Sequence, residues 1–348
     1  MITLITPAFN ESAIIQQSLG RLCDFMRALE HRFRWEIVVV NDGSRDQTGR
    51  LADEFAEGRP QVRVIHHTVN RNLGVAMQTG FRHAQGDYII VLDLDLSYSP
   101  EEHIVQLMDT ILETEADIVV ASPYMKGGKN TAVPTGRLIM SKVVNWLMRV
   151  SAGKNIYTFT SMVRVYNGNF IKNLNLKSGT YDINPEILFK ALILRARIVE
   201  IPGHLDWSFQ KEQGKGRTSS MRILKGILGG LMTGFIFRPY MFFLVMGTAL
   251  FALAMYILLW VAVHTVDVYG TLQLNEAVYN TRFSQAIAEV FRERPHAFFV
   301  GGIALVVALQ FWGIGFLSLQ SKRYFDELFH ITSAIKRRLG EPDEQGHA

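Results

Sequence analysis

Asp93 and Asp95, separated by a single leucine, close an apolar run that reads Tyr88-Ile-Ile-Val-Leu-Asp-Leu-Asp-Leu-Ser97. The β-formers ahead of them drive the chain through a core, and strand alternation aims both carboxylates the same way as it emerges. Two carboxylates held so close repel unless a cation sits between them. An all-oxygen donor pair suits Mg2+ or Mn2+, ions that usually bridge a protein carboxylate to a substrate phosphate. An isolated Asp-x-Asp in water needs no metal at all, so the surrounding elements have to decide.

Residues 1–210 alternate short apolar runs with amphipathic stretches, the pattern of a mainly parallel α/β sheet. A strand is expected over 2–6, then a helix over 12–33 with Ile15, Leu19, Leu22 and Met26 on one face. The second strand, 36–40, runs into Asn41-Asp42-Gly43-Ser44, and a short helix and a strand over 62–66 follow. A helix over 75–84 precedes the strand 88–92 that delivers Asp93; a helix over 100–113 and a strand over 117–121 complete the regular part. Unbroken β-branched runs of this kind suit strands buried on both faces. In such sheets ligands bind outside the carboxyl ends of the strands. The loops 7–11, 41–44 and 93–95 all fall on that edge, so three segments converge carboxylates on one crevice. Past Ser122 the pattern is mixed, with a Gly-rich loop at Gly127-Gly128, a helical stretch over 137–150 and two undecided segments over 158–166 and 182–195.

The chain has 348 residues, of which 48% are hydrophobic, and its mean hydropathy of +0.12 is high for a wholly soluble enzyme. The excess lies near the C-terminus, where 241–263 and 297–319, 23 residues each, hold no charge. As a helix each spans ~35 Å, enough for a hydrocarbon core of ~30 Å. Met1-Ile-Thr-Leu-Ile-Thr-Pro7 reads as a strand from the outset, not as a basic region ahead of an apolar one. The sheet domain is therefore expected in the cytoplasm, with two spans returning the tail to the same side. Lys211, Lys215, Arg217, Arg222, Lys225 and Arg238 before the first span, and Lys322 and Arg323 after the second, agree. Arg282, Arg292 and Arg294 between the spans weaken that bias without reversing it.

Residues 221–235 carry Leu224, Ile227, Leu228, Leu231 and Phe235 at helical spacing, as a helix in the membrane interface would. Gly226, Gly230 and Gly234 recur every four residues, which either permits close helix packing or is simply tolerated. The lone Cys23 excludes an internal disulfide and any cysteine-based zinc site. A net charge of +4 fits a protein at a membrane surface, and no nucleic-acid partner is expected. The layout is thus a sheet domain over 1–210, a basic loop and amphipathic juxtamembrane helix over 211–239, and a first span over 240–263. An extracytoplasmic loop over 264–296, a second span over 297–319 and a cytoplasmic tail over 320–348 follow.

In type and order, Thr6-Pro7-Ala8-Phe9-Asn10-Glu11, Val38-Val39-Val40-Asn41-Asp42-Gly43-Ser44, Asn72-Leu73-Gly74 and Asp93-Leu94-Asp95 resemble family-2 glycosyltransferases of the GT-A fold. The later part is similar to their polyisoprenyl-phosphate branch, which includes dolichol-phosphate mannose synthases and bactoprenol-phosphate sugar transferases. The resemblance covers nearly the whole chain and weakens beyond the second span. It implies a GT-A (Rossmann-like) nucleotide-sugar domain followed by interfacial helices and two transmembrane helices. By the same resemblance Pro7, Phe9, Glu11, Val40, Asp42 and Asp93 contact the nucleotide, and Asp93 and Asp95 form the metal and diphosphate site with Mg2+ or Mn2+. Arg137, Ser141 and Arg164 match positions near the sugar diphosphate, although each also suits an ordinary surface. Lys215, Arg217 and Ser219 match a loop that meets the acceptor phosphate, for which Arg offers a planar fork. The same cations alternatively serve the attraction to anionic lipid. Asp95, Arg164, Lys215 and Arg217 are the catalytic candidates, and Asp182, Glu186 and Asp206 the remaining carboxylates for a sugar pocket.

Three departures qualify the match. Ser97 stands where the family often has Gln, Ala121-Ser122-Pro123 where it has Gly-Ser-Arg, and Thr158 where an Asp precedes the Thr-Ser-Gly-Phe-Arg stretch. A carboxylate base is missing at 158, which is tolerable because a phosphate monoester is already an anionic nucleophile at neutral pH. The implied activity is an inverting transfer from a UDP- or GDP-linked sugar to a polyprenyl (undecaprenyl or dolichyl) phosphate at the cytoplasmic membrane face. A processive polysaccharide synthase would need a Gln-x-x-Arg-Trp segment and more spans. A catalytically inactive scaffold or translocation partner is kept open by Thr158 and Pro123. The sugar, the nucleotide and the lipid stay open, and a homo-oligomer is compatible with the sequence.

Overall fold

The computed structural model describes residues 1–208, 239–271 and 279–340. Strands β1 (Ile2–Ala8), β2 (Trp35–Asn41), β3 (Val62–His66), β4 (Tyr88–Val91), β5 (Ile118–Ser122), β7 (Arg164–Asn167) and β8 (Ile198–Pro202) form one seven-stranded sheet in the order β3-β2-β1-β4-β7-β5-β8. A small second sheet pairs β6 (Lys129–Thr131) with β9 (His204–Asp206). Helices α1 (Ile15–Ala28), α2 (Thr48–Ala56), α3 (Leu73–His83), α4 (Pro100–Thr114), α5 (Thr135–Ala152), α6 (Gly168–Asn173) and α7 (Ile183–Ile193) connect them. The GT-A (Rossmann-like) architecture is present. The sheet is mainly parallel, as expected, with β7 inserted antiparallel between β4 and β5.

The periodicities explain the layers. Ile15, Leu19, Leu22 and Met26 of α1 and Ile104, Leu107, Met108 and Ile111 of α4 recur at helical spacing and are all buried in one cluster against Leu4, Ile37, Val39 and Ile90 of the sheet. The β2 strand is buried along its whole length, including Glu36. That carboxylate is satisfied by the Thr3 hydroxyl at 2.6 Å, the Gln85 N–H at 2.6 Å and the Arg63 guanidinium at 2.7 Å. A buried charge persists only when paired in this way.

Strand register sets the site. Pro7 pairs with Val40 and Ala8 with Asn41, so β1 and β2 end level, while the parallel β4 stops at Val91 opposite Ile5 and its loop continues towards the same edge. Across β7 the row continues from Val91 to Arg164, Val120 and Glu200. Directly paired residues share a face, so Arg164 and Glu200 flank Val120 on the same side.

The helices α8 (Pro239–Thr271), α9 (Tyr279–Glu293) and α10 (Pro295–Gly340) make up the C-terminal part. Two segments, Tyr240–Thr271 and Pro295–Thr332, are long and apolar enough to cross a membrane. Only 11% and 22% of their apolar windows are buried, unlike the core helices of a soluble domain. Within this part α8 and α10 pack through glycines. A Cβ on Gly247 would stand 2.5 Å from the Trp312 ring, and Cβ atoms on Gly301 and Gly315 would stand 3.0 Å from Ile257 and Leu244. Small residues allow such approach between apolar helices. The stretch expected as a loop over 264–296 contains α9, whose Ala286 and Val290 are buried. The basic loop with Lys215, Arg217 and Ser219, the amphipathic stretch 221–235 and its glycine repeat lie outside the described residues.

Candidate active site

The first two loops of the carboxyl edge are sewn together. The Asp42 N–H donates to the Ala8 carbonyl at 2.9 Å, the Asn10 N–H to the Ser44 hydroxyl at 3.0 Å, and the Arg45 N–H to the Asn10 side chain at 2.9 Å. The Glu11 N–H donates to Thr48 Oγ1 at 2.8 Å, and the Ser12 N–H to Asp46 Oδ2 at 3.2 Å. Burial raises the Asp46 carboxyl, but hydrogen bonds from Thr48 and Ser12 outweigh it and hold its pKa at about 2. Gly43, at φ +66°, lets the loop after β3 close in: a Cβ there would collide with the backbone of Val69 and Asn70. Asp42 is buried, its Oδ1 accepting from His67 Nδ1 at 2.7 Å and from the Arg71 N–H at 2.9 Å. Phe9 remains 40% exposed at the same edge, available to a planar ligand. Val40, by contrast, is wholly buried in β2 and packs in the core.

The third loop presents the aspartate pair. Leu94 is buried between the half-buried Asp93 and Asp95, in a turn just beyond the end of β4. The Leu96 N–H donates to the Asp93 carbonyl at 3.1 Å, and the Ser97 N–H to Asp95 Oδ1 at 3.0 Å. This Asx-type closure puts Leu96 at φ +50°, a conformation a leucine seldom takes. Ser97 is itself buried, so it serves Asp95 through its backbone. Among the described residues no group of three or more His, Cys, Asp or Glu side chains could hold a metal ion. Two carboxylates with oxygen donors nevertheless fit Mg2+ or Mn2+, which commonly take their remaining ligands from substrate phosphate and water. Beside the turn lies a cleft of about 460 Å3 lined by Asp95, Arg21, Glu102, His204, Asp206 and Ser208.

Residues 3–174 match the family model described as Glycosyl transferase family 2. An undecaprenyl-phosphate mannosyltransferase from Micrococcus luteus is 31% identical over 207 residues, 58% of this chain and 82% of that protein. The chain belongs to glycosyl transferase family 2. A polyprenol monophosphomannose synthase from Mycolicibacterium smegmatis is 32% identical to the transferase over 57% of it and 75% of the relative. For a dolichol-phosphate mannosyltransferase from Pyrococcus furiosus the figures are 30% identity, 58% and 55%.

The transferase handles its departure at Thr158 through groups that sequence reasoning missed. Thr158 is 1% exposed, its hydroxyl 2.7 Å from Ser122 Oγ. The Tyr157 and Thr158 N–H groups donate to Glu200 Oε2 and Oε1 at 2.7 and 2.9 Å. The Phe159 and Thr160 N–H groups donate to Asn145 Oδ1 at 2.6 and 3.3 Å. Four successive amides are thus held by two side chains from β8 and α5. Burial pushes the Glu200 carboxyl up against the hydrogen bonds that favour its ionised form. The signal that could have found it is a single charge inside the apolar run Ile198-Val199-Glu200-Ile201-Pro202.

Arg164 is wholly buried; its guanidinium donates to the Phe159 and Asn184 carbonyls at 2.6 and 2.8 Å, and burial lowers its pKa. It stands behind the same segment, covered from solvent. Arg137 lies 4.2 Å over the Trp207 ring, and Ser141 accepts from the Tyr124 hydroxyl at 2.7 Å. Tyr98 is buried near Asp93; burial chiefly, with Tyr124 and Asp93, pushes its phenol well above its ordinary range. Of the three sugar-pocket carboxylates, Asp206 lines the cleft with Asp95, and its N–H donates to the Ser97 carbonyl at 2.9 Å. Glu186 is buried and occupied by Lys190 at 2.5 Å and by the Lys177 and Ser178 N–H groups, and Asp182 accepts from Thr180 at 3.0 Å. Neither lines that cleft.

Proposed function

We propose that the protein transfers a sugar from a nucleoside diphosphate to a polyprenyl phosphate, with inversion, at the cytoplasmic face of a membrane. The observation that carries this reading is the Asp93–Asp95 turn, set where three loops of one sheet edge meet. The acceptor class is supported by the relatives named above and by two helices long enough to cross a bilayer. Asp42 and Phe9 would take the nucleotide, with Pro7 and Glu11 beside them on the sewn edge. Asp93 and Asp95 would hold Mg2+ or Mn2+, which supplies charge neutralisation on the departing nucleoside diphosphate.

The phosphate oxygen of the lipid attacks the anomeric carbon as the bond from that carbon to the diphosphate oxygen breaks. The acceptor is already an anion near neutral pH, so no side chain has to take its proton. That removes the need for a carboxylate at 158. Lys215, Arg217 and Ser219 would receive the acceptor phosphate, and positioning and electrostatics would carry the rate.

The test uses purified full-length protein, labelled nucleotide sugars and a short polyprenyl phosphate, with and without divalent metal. A lipid carrying a single sugar, formed only with metal, is the expected product. A polymer would favour the synthase, and no transfer from any donor would favour the scaffold. Asp95→Asn should abolish transfer, and full activity in that variant would refute the metal assignment.

A further inference from the structure

We infer that the outer face of α5 is a membrane-docking surface, which lies in the headgroup region of an anionic bilayer and holds the sheet domain against it. This rests on the membrane part of the reading above, not on its transfer chemistry.

The helix is apolar on two opposite sides. Val144, Met148 and Ala152, spaced by four, are buried together with Asn145 and face the domain. Ile139, Val143, Trp146 and Val150 recur at steps of four, three and four, so they form one stripe, and helical geometry sets it on the far side. Its members are 59%, 47%, 59% and 42% exposed. A helix apolar on both sides is ordinarily buried on both. A continuous apolar stripe left bare marks a surface that something covers.

Charge identifies the cover. From Ile118 to Tyr181 the chain has nine Lys or Arg and no Asp or Glu, although the whole chain is nearly balanced at 36 to 32. Of these, Lys142 and Arg149, seven apart, flank the stripe on one side, and Lys154 is exposed just past the helix end. Arg149 lies 4.4 Å over the ring of Tyr157, which is itself 38% exposed. Trp and Tyr favour the level of the headgroups, and basic residues there are drawn to anionic lipid. An apolar stripe with aromatic rings and a flank of one sign is the composition of a helix lying in the interface.

A second copy suits the stripe less well. Its spacing is that of a coiled-coil seam, but it runs only from 139 to 150, under two heptads, where such seams need at least about three. Two copies packed antiparallel through it would also bring Lys142 and Arg149 against their own counterparts. On the proposed reading the same helix carries Arg137 and Ser141 of the sugar-diphosphate site, so docking would fix the height of that site above the lipid phosphates.

The decisive experiment measures depth in the full-length protein, one copy per nanodisc of phosphatidylcholine and phosphatidylglycerol. In a Cys23→Ala background, which removes the lone cysteine, Ile139→Cys, Val143→Cys, Trp146→Cys and Val150→Cys each carry a polarity-sensitive fluorophore. Glu57→Cys, just after α2, is the exposed control, and Leu259→Cys, on α8, the membrane control. Lipids bearing a nitroxide near the headgroup or at the chain end quench the labels according to depth. The four stripe labels should lie about 5–10 Å into the boundary between headgroups and acyl chains, Leu259 deeper and Glu57 outside. Stripe labels as unquenched as Glu57 would overturn the inference. So would labels shielded from water yet unquenched, the mark of a cover made by the chain's own 221–235 segment, or shielding that needs two copies per disc. Leaving out phosphatidylglycerol should move the stripe labels outward; unchanged depth would remove the charge argument and the inference with it. If Leu259 is itself unquenched, the membrane reading fails as well; a quenched Leu259 beside unquenched stripe labels defeats this inference alone.

Discussion

Arg164 and Glu200 stand on either side of Val120 in one row of the sheet and grip the same short segment from opposite ends. Glu200 takes the amides of Tyr157 and Thr158, and Arg164 holds the carbonyl of Phe159. Replacing Glu200 with Ala strips the amides of the exposed Tyr157 and the buried Thr158 of their acceptor and leaves Arg164 without its nearby charge. A loss of about 2–3 kcal/mol is expected, read from the urea midpoint at unchanged slope.

Thr158→Asp restores the carboxylate that the resemblance would place there, but the new group would face Ser122 and Glu200 inside the protein. Two carboxylates in one buried site cannot both ionise cheaply. The variant should be less stable than the wild type and transfer sugar no faster; a gain in turnover would show that position 158 does reach the substrate.

Glu36 tests the opposite end of the sheet. Its carboxylate is 6% exposed and receives Thr3, Gln85 and Arg63. Glu36→Ala should cost about 2–4 kcal/mol, because one buried oxygen cluster disappears while its donors remain. Nucleotide binding by the folded fraction should not change, since β2 carries Glu36 at its amino end and Asp42 beyond its carboxyl end.

His103 supplies a pH dependence. It is wholly buried, its Nδ1 2.8 Å from the Ser99 carbonyl and its Nε2 accepting the His204 N–H at 3.0 Å, and burial lowers its pKa from the ordinary 6.5. Below that value the unfolded chain binds a proton that the folded one refuses, so the unfolded state holds more protons and stability falls as pH falls. Melting temperatures measured from about pH 7.5 down to about pH 5 should drop, and His103→Gln, which keeps an acceptor for His204 but cannot titrate, should flatten the drop.

Much of this was legible in the chain. The apolar runs of β1, β2, β3 and β4 are rich enough in β-branched residues to be read as strands, and parallel strands put the loops that carry Pro7, Asp42 and Asp93 at one edge. What stayed hidden are contacts between segments far apart in sequence. Asp42 meets His67 across 25 residues, and Thr158 meets Glu200 across 42. No local spacing encodes either pair, and the antiparallel β7 that brings Arg164 to the edge has only four residues. Arg164 and Val40 match positions that the resemblance would give to ligands, yet burial is set by which strand neighbours them, and that is a property of the sheet.

The glycine notches of α8 and α10 seat Trp312, Ile257 and Leu244, so this helix pair completes its own packing. Its outward residues stay bare, with Tyr256 at 68%, Leu259 at 64% and Phe316 at 63%. On the proposed reading, enzyme and acceptor then share one fluid plane, and only the nucleotide arrives from bulk solution. Encounter becomes a two-dimensional search, so turnover should follow the mole fraction of acceptor among the lipids, not its molar concentration in the tube.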